Sequence, residues 1–167
     1  CDSNARIQTP FNAKTGSEVG TSKPSMNFRI YWDGDLQDEL LDGTTVSQYG
    51  GTTLGAGTTP FSSLGNPSSC NGTKATPCLS ADIFGDWREE VILWSTDDNA
   101  TLNIYSTITT SNYRMPTLMH DHTYRMGICW QNTAYNQPPH LGYYLPDAMQ
   151  PQFLEKEFTV NMGEEYL

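Results

Sequence analysis

Short apolar runs separated by turn-forming residues dominate the chain, and they predict β-strands. MNFRIYW at 26–32 places Phe28, Ile30 and Trp32 on one face of a strand, with polar neighbours between them. DDNA at 97–100 predicts a hairpin turn. Four further runs have the length and the β-branched and aromatic content of strands: EEVILWST (89–96), TLNIYSTI (101–108), YRMGICWQN (124–132) and HLGYYLP (140–146).

Two segments interrupt this pattern. LQDELLDG at 36–43 fits either a helical turn closed by Gly43 or a strand hairpin, because its leucines satisfy both periods. GGTTLGAGTTPFSSLGNPSS at 50–69 predicts a surface loop. No exact internal repeat is visible, although strand pairs recur at a spacing compatible with propeller blades.

Composition supports the strand pattern and limits the function. The 14 Gly, 10 Pro and 19 aromatic residues (6 Phe, 9 Tyr, 4 Trp) favour short strands and tight turns. The formal net charge of -10 repels nucleic acid, so nucleic-acid binding is an unfavourable interpretation. The sequence contains no run of 18 apolar residues, which argues against a membrane span.

The four cysteines, Cys1, Cys70, Cys78 and Cys129, permit three full pairings and fit no zinc knuckle. A bridge between Cys70 and Cys78 would close a short surface loop in an oxidising compartment. Free thiols are the alternative. A chain that opens at Cys1 without Met is expected to be processed or truncated.

Three segments have a residue order that strand propensity does not explain. In this order they resemble the C-terminal part of the family 11 polysaccharide lyases, the bacterial rhamnogalacturonan lyases, over most of residues 24–145. GDWREEV and AYNQPPH are the most unusual strings, whereas Cys70 and Cys78 depart from the family pattern. The segments are NFRIYWDGDLQDELLDG (27–43), NGTKATPCLSADIFGDWREEVILW (71–94) and TLMHDHTYRMGICWQNTAYNQPPHLGYYL (117–145).

The resemblance implies an all-β fold, an extracellular location and a specific reaction. Members of this family are eight-bladed β-propellers that bind calcium and cleave the rhamnogalacturonan I backbone of pectin by β-elimination. A chain of 167 residues suffices for about three blades. We therefore interpret residues 1–167 as the C-terminal part of a lyase propeller, with its motifs in 24–145. The remainder of the propeller or another chain would complete it.

The resemblance also implies site residues. It places Lys74 in the catalytic cleft; Tyr135 in AYNQPPH is the second catalytic candidate, and Arg88, Asn136 and His140 are the predicted substrate contacts. An amine acts as a base only when unprotonated, and a tyrosine held in a rigid loop can transfer a proton. The alternatives are an ordinary exposed lysine and a packed tyrosine. For Arg88 the alternative is a structural ion pair with Glu89 or Glu90.

The aspartates suggest Ca²⁺ sites. Asp33 and Asp35 flank a glycine in WDGD, Asp82 and Asp86 lie four apart around Gly85, and Asp121 lies between two histidines. Carboxylate and carbonyl oxygens are the ligands that Ca²⁺ prefers, and such ions would tie loops together. The alternative is that these side chains cap turns. A zinc site built on the three histidines has weaker support.

Three functions remain open at this point. The chain is part of a rhamnogalacturonan lyase, a pectin-binding module derived from the lyase fold, or a calcium-stabilised β domain without a substrate. The four tryptophans offer a sugar-stacking surface, but core packing is the expectation for at least three of them.

Overall fold

Two antiparallel sheets form most of the regular structure. The computed structural model describes residues 9–20, 27–49, 59–60 (backbone only), 65–131, 133 and 136–149. Sheet 1 has the strand order β1-β2-β3-β4: Phe28–Ile30, Glu39–Asp42, Thr45–Ser47 and Thr59–Pro60. Sheet 2 contains β5 Pro67–Ser68, β6 Leu79–Ala81, β7 Glu90–Ser95 and β8 Leu102–Tyr105. The all-β class is thus confirmed for the described residues, with little helix.

The two sheets repeat one strand-turn-strand unit. In sheet 1, Ile30 at the end of β1 pairs with Glu39 at the start of β2. In sheet 2, Ala81 at the end of β6 pairs with Glu90 at the start of β7. Each residue of the second unit follows its counterpart by 51 positions, as Glu90 follows Glu39. The two units share their conformation and register but differ in many residues, so no exact repeat is visible in the sequence.

One edge of β7 carries two strands in succession. Ser68 of β5 pairs with Trp94, and Leu79 of β6 pairs with Ile92, so residues 69–78 lie opposite Leu93 alone. We call residues 69–78 the Lys74 loop. The loop is an excursion from an edge strand that resumes its pairing afterwards. β8 covers the other edge of β7.

Alternation along the strands builds the core between the sheets. Val91 and Leu93 of β7 are fully buried, whereas Ile92 and Trp94 point to the opposite, half-buried face. The buried cluster between the sheets consists of Phe28, Ile30, Leu41, Val46, Val91 and Leu93. A second cluster packs beside it and contains Trp87, Leu118, Tyr124, Leu145 and Met149.

Two strand predictions are wrong. Residues His122–Trp130 form helix α1, and Leu145–Ala148 form the short helix α2, where strands were expected. The Asp121 side chain starts α1 because it accepts hydrogen bonds from the N–H groups of Thr123 and Tyr124. Pro146 in the first turn of α2 favours helix at that position.

The predicted surface loop 50–69 contains strands β4 and β5, so it is not a continuous loop, because each short segment pairs with a longer neighbouring strand. Three strand predictions and the hairpin turn are confirmed. β1, β7 and β8 lie within the predicted runs, and residues 97–100 connect β7 to β8 as a turn. The 36–43 segment adopts its strand alternative, since β2 ends at Asp42 and Gly43 opens the turn to β3. No helix of the described ranges is long and apolar enough to cross a bilayer.

Candidate functional site

Two turns with the same backbone conformation lead into β2 and β7. Turn 1 comprises residues 31–39 and turn 2 comprises residues 82–90. Their glycines have left-handed φ angles of 87° at Gly34 and 77° at Gly85. Two residues later φ is again positive, 75° at Leu36 and 68° at Trp87, which is uncommon for residues with a Cβ.

The last residue of each turn is a glutamate that bonds back to its start. Glu39 Oε2 accepts a hydrogen bond from the Trp32 N–H at 2.7 Å. Glu90 Oε2 accepts from the N–H groups of Ile83 at 2.8 Å and Phe84 at 3.0 Å. Both glutamates therefore close their turns and begin a strand.

Turn 1 gathers three carboxylates. Oxygen atoms of Asp33, Asp35 and Glu39 lie within 4.8 Å of one another, and among the described residues no other group of three acidic, His or Cys side chains does so. Glu39 is 3% exposed, and its Oε1 has no hydrogen-bond donor in the described part of the chain. The predicted pair Asp33 and Asp35 is thus brought together, and Glu39 joins it.

The charges of turn 1 fit a hard divalent cation. Burial raises the pKa of Glu39 to about 8, and the nearby Asp33 carboxylate adds to the rise. Asp35 is held in place by the Gln37 N–H at 2.8 Å and by the Gln48 amide at 3.1 Å. Ca²⁺ takes six to eight oxygen ligands, so carbonyl or water oxygens would have to complete this set.

Turn 2 compensates its charge differently. Phe84 occupies the position of Asp33, which removes one carboxylate from the set. The Arg88 guanidinium donates to Asp86 Oδ2 and to the Thr109 carbonyl oxygen. Asp86, a predicted metal ligand, is therefore paired within its own turn, and Arg88, a predicted substrate contact, is engaged with that carboxylate and with Thr109.

The expected ion pair of Arg88 with Glu89 or Glu90 is wrong. Arg88 pairs with Asp86, and Glu89 pairs with Arg29 at 3.0 Å. Successive side chains of an extended segment point in opposite directions, so Arg88 and Glu89 lie on different sides of the chain.

Glu89 is the centre of a buried polar network. It is fully buried, and its Oε2 accepts from Arg29 and from the Tyr31 N–H at 2.9 Å. Its Oε1 accepts from the Tyr124 hydroxyl at 2.7 Å, and that hydroxyl in turn accepts from the Asp82 N–H at 2.8 Å. Burial raises the pKa of Glu89, and Arg29 and Tyr124 oppose the rise. The network joins sheet 1, turn 2 and α1.

The two remaining metal candidates lie in separate places. Asp82 Oδ2 accepts from the Thr117 hydroxyl at 2.6 Å and the Leu118 N–H at 2.8 Å. Asp121 caps α1 and accepts from the Gly142 N–H at 2.6 Å. Burial would raise the pKa of Asp121, but these N–H donors, Gly142 foremost, lower it. Both carboxylates thus fix the α1 region, which is the capping alternative.

The Lys74 loop has a defined internal structure. Cys70 and Thr76 exchange two backbone hydrogen bonds, of 2.7 and 3.2 Å, that narrow its base. Lys74 ends a single 3₁₀ turn and is half-exposed, whereas Thr76 is fully buried. The Ala75 carbonyl accepts from the Gly43 N–H of sheet 1 at 3.0 Å. These contacts fix the loop against both sheets.

Asn136 lies against this loop. Its side-chain amide donates to the Pro77 carbonyl at 3.0 Å and to the Thr76 hydroxyl at 3.4 Å, and the residue is buried. Asn136 therefore has a positioning contact with the loop that carries Lys74. Tyr135 precedes it in sequence and lies outside the described residues.

A cleft of about 470 Å³ opens beside turn 1 and contains His140. Burial, together with the Arg29 guanidinium, lowers the pKa of His140, which favours a neutral imidazole. Two exposed aromatic side chains, Tyr143 and Tyr144, also line the cleft. Neither tyrosine was among the predicted site residues, although YYLP places two aromatic residues directly before a helix start.

Residues 136–140 connect the cleft to the Lys74 loop. Asn136 is bonded to that loop, and the Pro139 carbonyl accepts from Arg29 at the cleft. Five consecutive residues separate their ends by at most roughly 14 Å. Three of the four predicted catalytic and substrate residues in the described chain, Lys74, Asn136 and His140, thus belong to one region.

Most of the tryptophans are unavailable for stacking. Trp87 is 3% exposed, Trp32 and Trp94 are half-buried, and Trp130 at the end of α1 is 64% exposed. The expectation that at least three pack in the interior agrees with this arrangement.

Comparisons with known proteins identify rhamnogalacturonan lyases as relatives of this chain. The family model described as rhamnogalacturonan lyase family 11, C-terminal domain, matches residues 3–154. The chain is similar to two Bacillus subtilis strain 168 proteins, rhamnogalacturonan endolyase YesW and rhamnogalacturonan exolyase YesX. Each is 47% identical over 143 residues, which cover 85% and 81% of this chain. The chain spans only 22% and 23% of these relatives.

Solved structures of rhamnogalacturonan lyases are similar as well. The crystal structure of YesW matches with a TM-score of 0.72 at 43% identity, over 83% of this chain and 23% of that one. The Bacillus licheniformis rhamnogalacturonan lyase PL11 matches with a TM-score of 0.69 at 48% identity, over 81% and 23%. An endolyase and an exolyase resemble the chain equally, so this region is common to both types.

Proposed function

Because the chain belongs to rhamnogalacturonan lyase family 11, as its C-terminal domain, we propose that it supplies the catalytic lysine of a rhamnogalacturonan lyase. The observation that carries this proposal is the fixed Lys74 loop. Buried Thr76 and Pro77 anchor it, and Asn136, which follows Tyr135 in the sequence, donates a hydrogen bond to the Pro77 carbonyl of the same loop.

The reaction assigns a role to each side chain. In β-elimination a base removes the C5 proton beside the uronate carboxylate, the C4–O bond breaks, and a C4–C5 double bond forms. The unprotonated Lys74 amine accepts that proton, and the Tyr135 hydroxyl donates one to the departing C4 oxygen. After this step Lys74 carries one additional proton and Tyr135 lacks one. A further proton transfer must restore both groups before the next turnover.

The cleft beside turn 1 is the proposed binding surface for the polysaccharide. Tyr143 and Tyr144 offer exposed aromatic faces to sugar rings, and a neutral His140 can donate or accept a hydrogen bond. Asp33, Asp35 and Glu39 are the proposed Ca²⁺ ligands. Bound calcium would neutralise their charge and hold turn 1, whose Glu39 lines the cleft.

The repeated units are proposed to be neighbouring propeller blades. Their shared register and their 51-residue spacing support this fold, as does the buried cluster between the two sheets. About three blades fit into this chain, and the rest of the protein, or another chain, would complete the propeller and the active site.

A chimera tests the catalytic proposal. The chain replaces the matching region of the Bacillus subtilis endolyase, and product is measured by the ultraviolet absorbance of the unsaturated sugar. Lys74→Ala is expected to lower kcat by about 10² to 10⁴-fold, the usual contribution of a general base. Lys14→Ala, at an exposed lysine elsewhere, is the control and is expected to have no effect. Activity retained in Lys74→Ala would show that another group is the base.

A pectin-binding module is the second candidate function, and the cleft with its exposed tyrosines favours it. In affinity gels containing rhamnogalacturonan I, the isolated chain is expected to migrate more slowly than in blank gels. Tyr143→Ala with Tyr144→Ala should remove that retardation. If the chain binds and the active chimera cannot be obtained, the binding function is the better description.

A further inference from the structure

The two ends of the Lys74 loop bring two thiols together. Cys70 Sγ and Cys78 Sγ are 3.2 Å apart, and both residues are half-buried. Cys70 is fixed by its paired hydrogen bonds with Thr76, and Cys78 by the bond from its N–H to the Ile92 carbonyl of β7 at 2.9 Å. The contact therefore depends on sheet geometry rather than on two mobile side chains.

The surroundings of the pair argue against other roles. Burial, with Cys70 beside it, raises the pKa of the Cys78 thiol to about 12, whereas catalytic thiols have lowered pKa values. No third His, Cys, Asp or Glu joins the two sulfurs in the described ranges, and structural zinc takes four ligands.

The backbone of the loop benefits from an external constraint. Three residues have left-handed φ angles, 62° at Asn71, 56° at Gly72 and 50° at Ala75. This conformation is unfavourable for alanine in particular, because its Cβ approaches the following carbonyl. A covalent link across the base would reduce the alternatives open to the unfolded loop and so help to maintain it.

We propose that Cys70 and Cys78 form a disulfide bond that closes the Lys74 loop. The two S–H bonds break and one S–S bond forms, while two electrons and two protons pass to the disulfide of an exchange partner, which becomes two thiols. The sulfurs must approach to about 2.05 Å, which is a shift of roughly 1 Å. The bond requires an oxidising compartment, in agreement with the extracellular location that the family resemblance implies.

Peptide mapping tests the bond directly. Trypsin cleaves after Lys74, inside the loop, so Cys70 and Cys78 fall in the separate peptides 30–74 and 75–88. The chain is incubated with oxidised glutathione and denatured in the presence of an alkylating agent, which blocks any free thiol. It is then digested with trypsin. We expect the two peptides to be joined and two hydrogen atoms lighter than their sum, and to separate with reductant. Complete alkylation of both cysteines, or a bond from either one to Cys1 or Cys129, would overturn the proposal.

Thermal unfolding shows whether the bond supports the fold. Reductant is expected to lower Tm by several degrees in the wild-type chain and in Cys129→Ser, whose cysteine is exposed. The double variant Cys70→Ser with Cys78→Ser should not respond to reductant. An equal response in that variant would refute a stabilising bond. Neither peptide mapping nor thermal unfolding uses a substrate, so the outcome for the disulfide is independent of the lyase proposal.

Discussion

Turn 1 and turn 2 share one backbone conformation but differ in how their negative charge is compensated. Each has a left-handed glycine, a second left-handed residue and a closing glutamate. In turn 1, Asp33, Asp35 and Glu39 lie close together, and no Lys or Arg of the described residues forms an ion pair with them. In turn 2, Phe84 replaces one carboxylate and Arg88 neutralises another.

The difference shows which features the fold requires and which it leaves to function. The glycines and the closing glutamates recur because the backbone needs them. Under the calcium proposal, the residue at one position, Gln37 in turn 1 and Arg88 in turn 2, decides whether the compensating cation comes from solvent or from the chain. The proposed metal site of turn 1 and the ion pair of turn 2 would thus be two answers to the same electrostatic problem.

The largest expected effect concerns the residue before the closing glutamate. Glu89→Gln leaves the buried Arg29 without its partner and should lower the free energy of unfolding by about 3 to 5 kcal/mol. Asp38→Asn, at the matching position of turn 1, should cost at most about 1 kcal/mol, because Asp38 is half exposed and 3.9 Å from Arg29. Urea unfolding measures both, and equal losses would contradict the asymmetry between the turns.

The next effect is the response to calcium. At a free concentration 100 times Kd, Ca²⁺ should stabilise the wild-type chain by about 2.7 kcal/mol, measured as a rise in Tm over the chelator-treated protein. Asp35→Asn should remove this rise, and Asp86→Asn should leave it intact. If Asp86→Asn removes the rise instead, the ion binds turn 2.

The glycines of the turns should also differ. A Cβ at Gly34 would lie 2.8 Å from Ser111 Cβ, whereas one at Gly85 would lie 3.8 Å from Thr117 Cβ. Both alanine variants force an unfavourable left-handed φ, which costs roughly 1 to 2 kcal/mol. Gly34→Ala should lose about 1 kcal/mol or more beyond that in urea unfolding. A larger loss at Gly85 would contradict the packing difference.

The smallest expected effect comes from exchanging the residues at the position that differs between the turns, Gln37 in turn 1 and Arg88 in turn 2. Gln37→Arg places a guanidinium in turn 1, so it should raise stability in chelator by up to about 1 kcal/mol and weaken the calcium response. Arg88→Gln should lower stability by a similar amount and leave the calcium response of turn 1 unchanged, because Phe84 provides no ligand for a second site in turn 2. Calcium titration of the two variants by calorimetry distinguishes these outcomes.

The sequence predicted the strands and turns whose structure depends on local residue patterns. Alternation of apolar residues located β1, the length and composition of EEVILWST located β7, and DDNA located the hairpin to β8. The prediction failed at α1, because Tyr124, Ile128, Cys129 and Trp130 have strand-like propensities that tertiary packing overrides. Asp121, whose side chain caps the helix, was the available signal, but it was interpreted as a metal ligand.

The candidate site was predicted in part for a similar reason. Asp33 and Asp35 are adjacent to one glycine, so sequence alone grouped them. Glu39 joins them only because the left-handed residues of turn 1 reverse the chain. The Arg29–Glu89 pair is separated by 60 residues, and sequence spacing carries no information about such a contact.

The Lys74 loop leaves its strand and returns to the same edge of β7 after passing a single partner residue. Its length and chemistry can change through insertion, deletion or exchange while the flanking pairs keep their register. Substitutions in its exposed residues 71–73 should therefore leave the sheet unchanged, so that the loop can be altered separately from the scaffold that holds it.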